Sequence, residues 1–182
     1  MDSLFNRYGL ALLDIAIEEK RVDEYRTVVK EIDKCLKEND DYIRVLSSSF
    51  ISKKEKISLI EEAFGTLNFK HIINFLKIII ENHREDVLIK ILEQFVSLCN
   101  DRLGILEGIV YSVNYLNESQ ISSIESVIGD KLGKRVELKN ILDPGLIGGV
   151  KVIVNDRIYD GSINSKIDNM KQSLLTKKGE EK

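Results

Sequence analysis

Of the eleven glycines in this 182-residue chain, only Gly9 and Gly65 fall before residue 104. Glycine supplies turns, bulges and caps, and it weakens helix interiors. The only proline is Pro144, so the first part also lacks the strongest helix breaker. The first part is therefore expected to be nearly all helix. The second, with nine glycines, is expected to hold strands and tight turns. The expected boundary lies near Asp101-Arg102-Leu103-Gly104, giving a helical domain over residues 1–104 and a smaller mixed domain over 105–182. No low-complexity linker and no internal repeat interrupts the chain.

Composition supports a folded core. Apolar residues make up 43% and charged residues 31%, far from the profile of a disordered chain. The net charge of −3 and a pI near 5.6 argue against a general nucleic-acid binder. Two cysteines, Cys35 and Cys99, are too few for a disulfide framework, and free buried thiols in a reducing compartment are expected. The start Met1-Asp2-Ser3 lacks the basic region and apolar run of a signal peptide. The most apolar stretch, residues 72–80, contains Asn74 and Lys77 and is about half of a membrane span. A soluble, cytosolic protein is expected unless a partner ties it to a membrane.

The first part reads as six helices. Leu4, Phe5, Tyr8, Ala11, Leu12, Ile15 and Ala16 recur at helical spacing. Val22, Tyr25, Val29, Ile32 and Leu36 form a narrower stripe. Asn39-Asp40-Asp41 is expected to cap a short third helix through Leu46. Ser52-Lys-Lys-Glu55 is a capping box for the fourth, which ends at Gly65. Residues 67–81 are apolar on most sides, as in a helix that is central or covered by something else. The sixth carries Val87, Leu88, Ile91, Leu92, Phe95, Val96 and Cys99. Short connections imply a six-helix bundle.

The second part changes period. Ile109, Tyr111 and Val113 alternate as in a strand. Asn117-Glu-Ser-Gln120 is a capping box for a helix through Leu132. Val136 and Leu138 alternate next, then Val150, Val152 and Val154. Asn155-Asp156 fits a two-residue hairpin turn before Arg157-Ile158-Tyr159. Gly161-Ser162 opens a last helix. The order β-α-β-β-β-α implies a small α+β domain after the bundle.

Catalytic chemistry is mostly missing. His71 and His83 are too far apart in sequence to share a helical ligand face. Leu142-Asp-Pro-Gly-Leu-Ile-Gly-Gly149 lacks the Lys-Ser/Thr of a phosphate loop and precedes a strand, so it reads as a turn and bulge. Asp143 and Asp160 are better read as turn and cap residues than as an acid/base pair. Lys53-Lys54-Glu55-Lys56 reads as a solvated first turn. Ile163, Ile167, Met170 and Leu174 form a heptad-like stripe, which suits a helix lying on its own sheet or a seam for a partner helix. No metal or cofactor is expected. The profile favours an interaction or structural protein over an enzyme, and an unrelated two-domain scaffold remains the alternative.

Several segments, in order, carry a family resemblance. Arg7-Tyr-Gly-Leu-Ala-Leu-Leu-Asp-Ile-Ala16 resembles the R-Y-A-x-A-L-x-x-x-A opening of the F-type ATP synthase delta subunit, the family of the mitochondrial oligomycin-sensitivity-conferring protein. Phe50-Ile-Ser-Lys-Lys-Glu-Lys56 resembles its segment before the fourth helix. Residues 73–84 are similar to N-F-L-x-x-L-x-x-N-x-R. Leu142-Asp-Pro-Gly-Leu-Ile-Gly-Gly149 followed by Ile158-Tyr-Asp-Gly-Ser162 resembles D-P-x-L-I-G-G and then V-x-D-G-S. Gly9 replaces the usual alanine, and Tyr111-Ser-Val113 departs from the usual small-residue strand.

The resemblance implies a non-catalytic peripheral-stalk, or stator, subunit on the cytoplasmic side of the cell membrane. Such a subunit supports proton-driven ATP synthesis by keeping the catalytic head from turning with the rotor. It implies that the helical domain binds N-terminal segments of the alpha subunits, in a groove between the first and fifth helices. The matching positions are Tyr8, Ala11, Ile15, Asn74 and Ile78. It implies that the C-terminal domain meets the b subunits, with Ile163, Ile167, Met170 and Leu174 expected at that contact. No nucleic acid, small-molecule substrate or direct membrane insertion is expected.

Overall fold

The computed structural model describes residues 4–177, with side chains through residue 172. The chain divides into two compact units, Met1–Leu103 and Gly104–Lys182. Among the described residues the fold is α+β, with eight α-helices and one four-stranded sheet.

The first unit contains α1 (Leu4–Glu18), α2 (Val22–Glu38), α3 (Asp40–Ser47), α4 (Lys53–Phe64), α5 (Lys70–Glu81) and α6 (Leu88–Leu103). A single 3-10 turn, Glu85–Val87, precedes α6. Helix α6 packs along α1 and α2, and α4 packs on α5. One apolar core joins all six helices through residues such as Leu12, Ile32, Leu46, Ile60, Leu76 and Phe95. Each such side chain contributes about 1.5–3 kcal/mol on leaving water. Gly9 is buried where α1 crosses α6. A Cβ there would lie 3.0 Å from Leu98 Cδ1 and 3.3 Å from the Phe95 backbone nitrogen, so its small size permits the close crossing.

Local chemistry sets several helix ends. Ser52 Oγ accepts from the Glu55 backbone N–H at 3.3 Å, and Glu55 Oε2 accepts from Ser52 N–H at 2.9 Å. This completes the capping box that opens α4. Asn39 corrects an expectation. It precedes α3 but makes no side-chain cap there. Its Nδ2 instead donates to the Cys35 carbonyl at 2.7 Å, closing the last turn of α2. Helix α5 starts at Lys70 rather than at residue 67, because residues 65–69 turn back between α4 and α5.

Polar side chains also enter this unit. Arg26 is buried beside the apolar stripe of α2, and its Nε donates to Asn100 Oδ1 on α6. Lys56 and Glu85 are both buried and form an ion pair between α4 and the 3-10 turn. Cys99 is buried, whereas Cys35 is exposed, against the expectation for both thiols. Position 35 falls outside the Tyr25–Val29–Ile32–Leu36 stripe that α2 buries.

The second unit runs β1 (Ile105–Ser112), α7 (Glu118–Leu132), β2 (Arg135–Leu142), β3 (Val150–Val154), β4 (Arg157–Asp160) and α8 (Ile163–Lys177). The strand order is β2-β1-β3-β4. Strands β1 and β2 are parallel, with Val110 opposite Asn140, and α7 makes the crossover that a parallel pair requires. Strand β3 is antiparallel to both β1 and β4. Asn155 and Asp156 have φ of 47° and 59°, the left-handed pair that a type I′ hairpin turn needs. Asn117 and Gln120 complete the capping box of α7. The core of this unit is Val110, Ile128, Val136, Val152 and Val154. At Gly108 a Cβ would lie 2.4 Å from Val154 Cγ2 and 2.6 Å from the Ile153 carbonyl oxygen, so the sheet closes over a site that admits no side chain. No described side chain of α8 belongs to this core.

Candidate docking surfaces

Helices α1 and α5 lie side by side. The Tyr8 ring meets Phe75 edge to face, with centroids 6.2 Å apart and planes at 67°. Toward the end of α1, His71 Nε2 of α5 lies 3.3 Å from Glu19 Oε1. The other Glu19 oxygen accepts from Tyr25 Oη at 2.7 Å. Arg21 stacks over Phe69 at 4.4 Å, and Tyr25 meets Phe69 edge to face at 5.2 Å. These contacts tie the turn between α1 and α2 to the start of α5.

The five positions expected along this seam divide by burial. Tyr8 and Ile15 are half-buried and pack against the core. Ala11, Asn74 and Ile78 are exposed. Asn74 and Ile78 stand one turn apart on α5, so they share its outer face. Ile78 is the informative residue. It is 47% exposed, while the other four isoleucines of α5 are at most 7% exposed. A helix apolar on most sides thus keeps one isoleucine out of the core, on a helix bordering α1.

In the second unit, Ile163, Ile167 and Met170 are all exposed, with Met170 at 66%. The side chain of Leu174 lies outside the described residues. Ile163, Ile167 and Met170 therefore do not belong to the sheet core. Ser162 opens α8 by accepting from Ser165 N–H at 3.2 Å. Asp160 Oδ1 accepts from Ser162 N–H at 2.9 Å, and hydrogen bonds from Ser162 hold this carboxyl below its ordinary range. Asp143 Oδ1 accepts from Gly145 N–H at 2.9 Å. Both aspartates thus serve turns.

Phe50 and Ile147 are among the exposed apolar residues that sequence pattern does not single out. Phe50, between α3 and α4, is 98% exposed. Ile147, between β2 and β3, is 69% exposed. Ile147 sits inside the glycine-rich turn, between Leu146 and Gly148. Among the described residues there is no group of three or more possible metal ligands. No helix among them is long and apolar enough to cross a membrane.

Comparison with known proteins connects this geometry to a family. The family model for the ATP synthase delta (OSCP) subunit matches residues 4–174. The "ATP synthase subunit delta" of Mycoplasma capricolum is 38% identical over 179 residues, covering 96% of this chain and 98% of that protein. The protein of the same name from Geobacillus sp. is 35% identical, covering 93% of this chain and 95% of its own. A chain in the cryo-EM structure of the Toxoplasma gondii mitochondrial ATP synthase hexamer superposes with a TM-score of 0.67 at 15% identity. It covers 95% of this chain and 98% of that one, a likeness of fold. The chain belongs to the ATP synthase delta (OSCP) subunit family, a component of the peripheral stalk.

Proposed function

We propose that this chain is a non-catalytic stator subunit, at the cytoplasmic side of the membrane, that joins the catalytic head of an F-type ATP synthase to its b subunits. In this reading the six helices of the first unit act as a bundle that receives an N-terminal helix of an alpha subunit along α1 and α5. The second unit receives the b subunit along α8. Family membership supports the setting, and the exposed Ile78 on a helix whose other isoleucines are all buried is the observation that carries the alpha contact.

The physics of the role fits the residues. An amphipathic helix docks by laying its apolar face in a hydrophobic groove. Ala11 leaves room for close approach, Tyr8 and Ile15 supply apolar area, and Asn74 supplies donors and an acceptor. A joint under torque needs affinity and not turnover, which several interfaces on one chain provide together.

Calorimetric titration with a peptide of the alpha N-terminus tests the reading. Ile78→Asp is expected to weaken binding about thirtyfold or more, the scale of a buried anchor residue. Its melting curve should match that of the parent chain. Unchanged affinity in the folded variant removes Ile78 from the contact.

A further inference from the structure

The sheet face that carries α7 is only partly covered. Val110, Val152 and Tyr159 stand in one row across β1, β3 and β4 on that face. Helix α7 lies over β2. Beside it, along β3 and β4, runs an apolar groove of about 500 Å³. Its walls are Ile124, Val127 and Ile128 of α7 and Val150, Val152 and Tyr159 of the sheet. The groove is open to water, since Val127 in its wall is 55% exposed. A sheet with one bare apolar stretch beside a helix has room for a second helix on the same face.

Helix α8 starts at the rim of this groove. Asp160 and Gly161 line it, and Gly161 N–H donates to the Val150 carbonyl at 2.9 Å, so the chain belongs to the sheet up to Gly161. Ser162 then caps α8. A two-residue connection suffices to turn a strand back into a helix lying on its own sheet. The two apolar surfaces also match in length. From Ser123 to Lys131 the groove wall on α7 spans about 12 Å, and from Ile163 to Met170 the stripe on α8 spans about 10 Å. Lys166, Asp168 and Lys171 stand about 70° or more off that stripe, so laying it in the groove buries no charge.

Three hydrogen bonds hold the helix elsewhere. Ile163 N–H donates to the Gly148 carbonyl at 2.9 Å. Asn164 Oδ1 accepts from Ile147 N–H at 3.3 Å, and Asn164 Nδ2 donates to the Gly145 carbonyl at 3.2 Å. Both Asn164 bonds are exposed, so water replaces them at small net cost. Against them stand three exposed apolar side chains and an apolar groove, all of which gain on leaving water.

We propose that α8 is a strap with two positions, one held off the sheet by Asn164 and one folded back at Gly161 so that Ile163, Ile167 and Met170 fill the groove between α7 and the β3–β4 face. The folded-back position shields the stripe in the free chain, whichever partner α8 meets.

Disulfide trapping in the full chain tests the strap. In a Cys35→Ser background, Val127→Cys and Ile167→Cys place one thiol in the groove wall and one on the stripe, both at exposed positions. A bond between them requires Cα atoms about 4.4–6.8 Å apart. Under a mild oxidant at micromolar protein, the intramolecular disulfide is expected to form about tenfold faster in the native chain than in urea, where encounters are random. Asn164→Ala should speed trapping about threefold more, by removing the two bonds of the open position. A native rate no faster than that in urea overturns the strap, and a rate unaltered by Asn164→Ala overturns the role of Asn164. A second readout needs no added cysteine. The chain has no tryptophan, so Val127→Trp is a single reporter in the groove wall. Acrylamide should quench it severalfold more strongly once Ile167→Asp and Met170→Asp keep the strap in water. Equal quenching with and without those two changes overturns the proposal.

Discussion

Replacing Glu85 by alanine leaves the Lys56 ammonium in the helical core without its carboxylate. Both residues are less than a tenth exposed, and the ion pair between them joins α4 to the turn that follows α5. The second Glu85 oxygen has no hydrogen-bond partner. The pair is thus incompletely compensated for leaving water, and its net contribution relative to apolar residues is small. Breaking it is a different matter, because removing one member of a buried pair costs about 3–5 kcal/mol. For a unit of this size that is a fall in midpoint temperature on the order of 12–20 °C. The double variant Lys56→Met/Glu85→Leu should recover most of the loss. The pH dependence has a definite sign. Burial pulls the Glu85 carboxyl up, but the hydrogen bond from Lys56 and the nearby positive charge outweigh it and hold it below its ordinary range. Its contribution is therefore full above about pH 4.5 and is lost as pH falls through the lowered native value. Urea unfolding followed by far-UV circular dichroism, at neutral pH and near pH 4, measures both effects. A cost below about 1 kcal/mol for Glu85→Ala, or a double variant as unstable as the single one, would refute the reasoning.

Three further outcomes follow from the same structure. The buried Cys99 thiol is pushed up to about 12, chiefly by burial, so a maleimide should label Cys35 alone in the native chain and both thiols in urea. Gly108→Ala should destabilise the sheet unit by about 2–3 kcal/mol in chemical unfolding, since the added methyl meets a backbone carbonyl as well as a side chain. Tyr25 and Tyr42 are each raised to about 12, Tyr25 by burial and its bond to Glu19, Tyr42 mainly by burial. Their contribution should be complete below about pH 10 and lost as pH rises toward 12. Tyrosine absorbance should therefore titrate late, and Tyr25→Phe should flatten the alkaline loss of stability.

What the sequence made legible, and what it hid, follows from the range of each interaction. The capping boxes at Ser52 and Asn117 and the hairpin turn at Asn155-Asp156 are each decided within about four residues, and all three stand in the structure. Asn39 is ambiguous in sequence because an asparagine between two helices can serve either one, and here it closes the first. The partners of Arg26 and Lys56 lie 74 and 29 residues away, beyond any local pattern. Periodicity identified the stripe of α8 but not what covers it, since spacing tells which residues share a face and nothing about the opposing surface. The seam between α1 and α5 was placed by resemblance, because no spacing rule says which of six helices are neighbours.

Exposure also decides which variants can separate binding from folding. Tyr8 is half-buried and meets Phe75 edge to face, so replacing it removes core contacts whatever it does to a partner. Ile15 packs on the same core and carries the same ambiguity. Ile78 does not, being nearly half exposed and outside the core cluster, and surface changes away from such clusters usually move stability by about 0.5 kcal/mol or less. An isoleucine that folding does not need, on a helix whose other isoleucines folding does need, is where a binding role leaves its clearest trace.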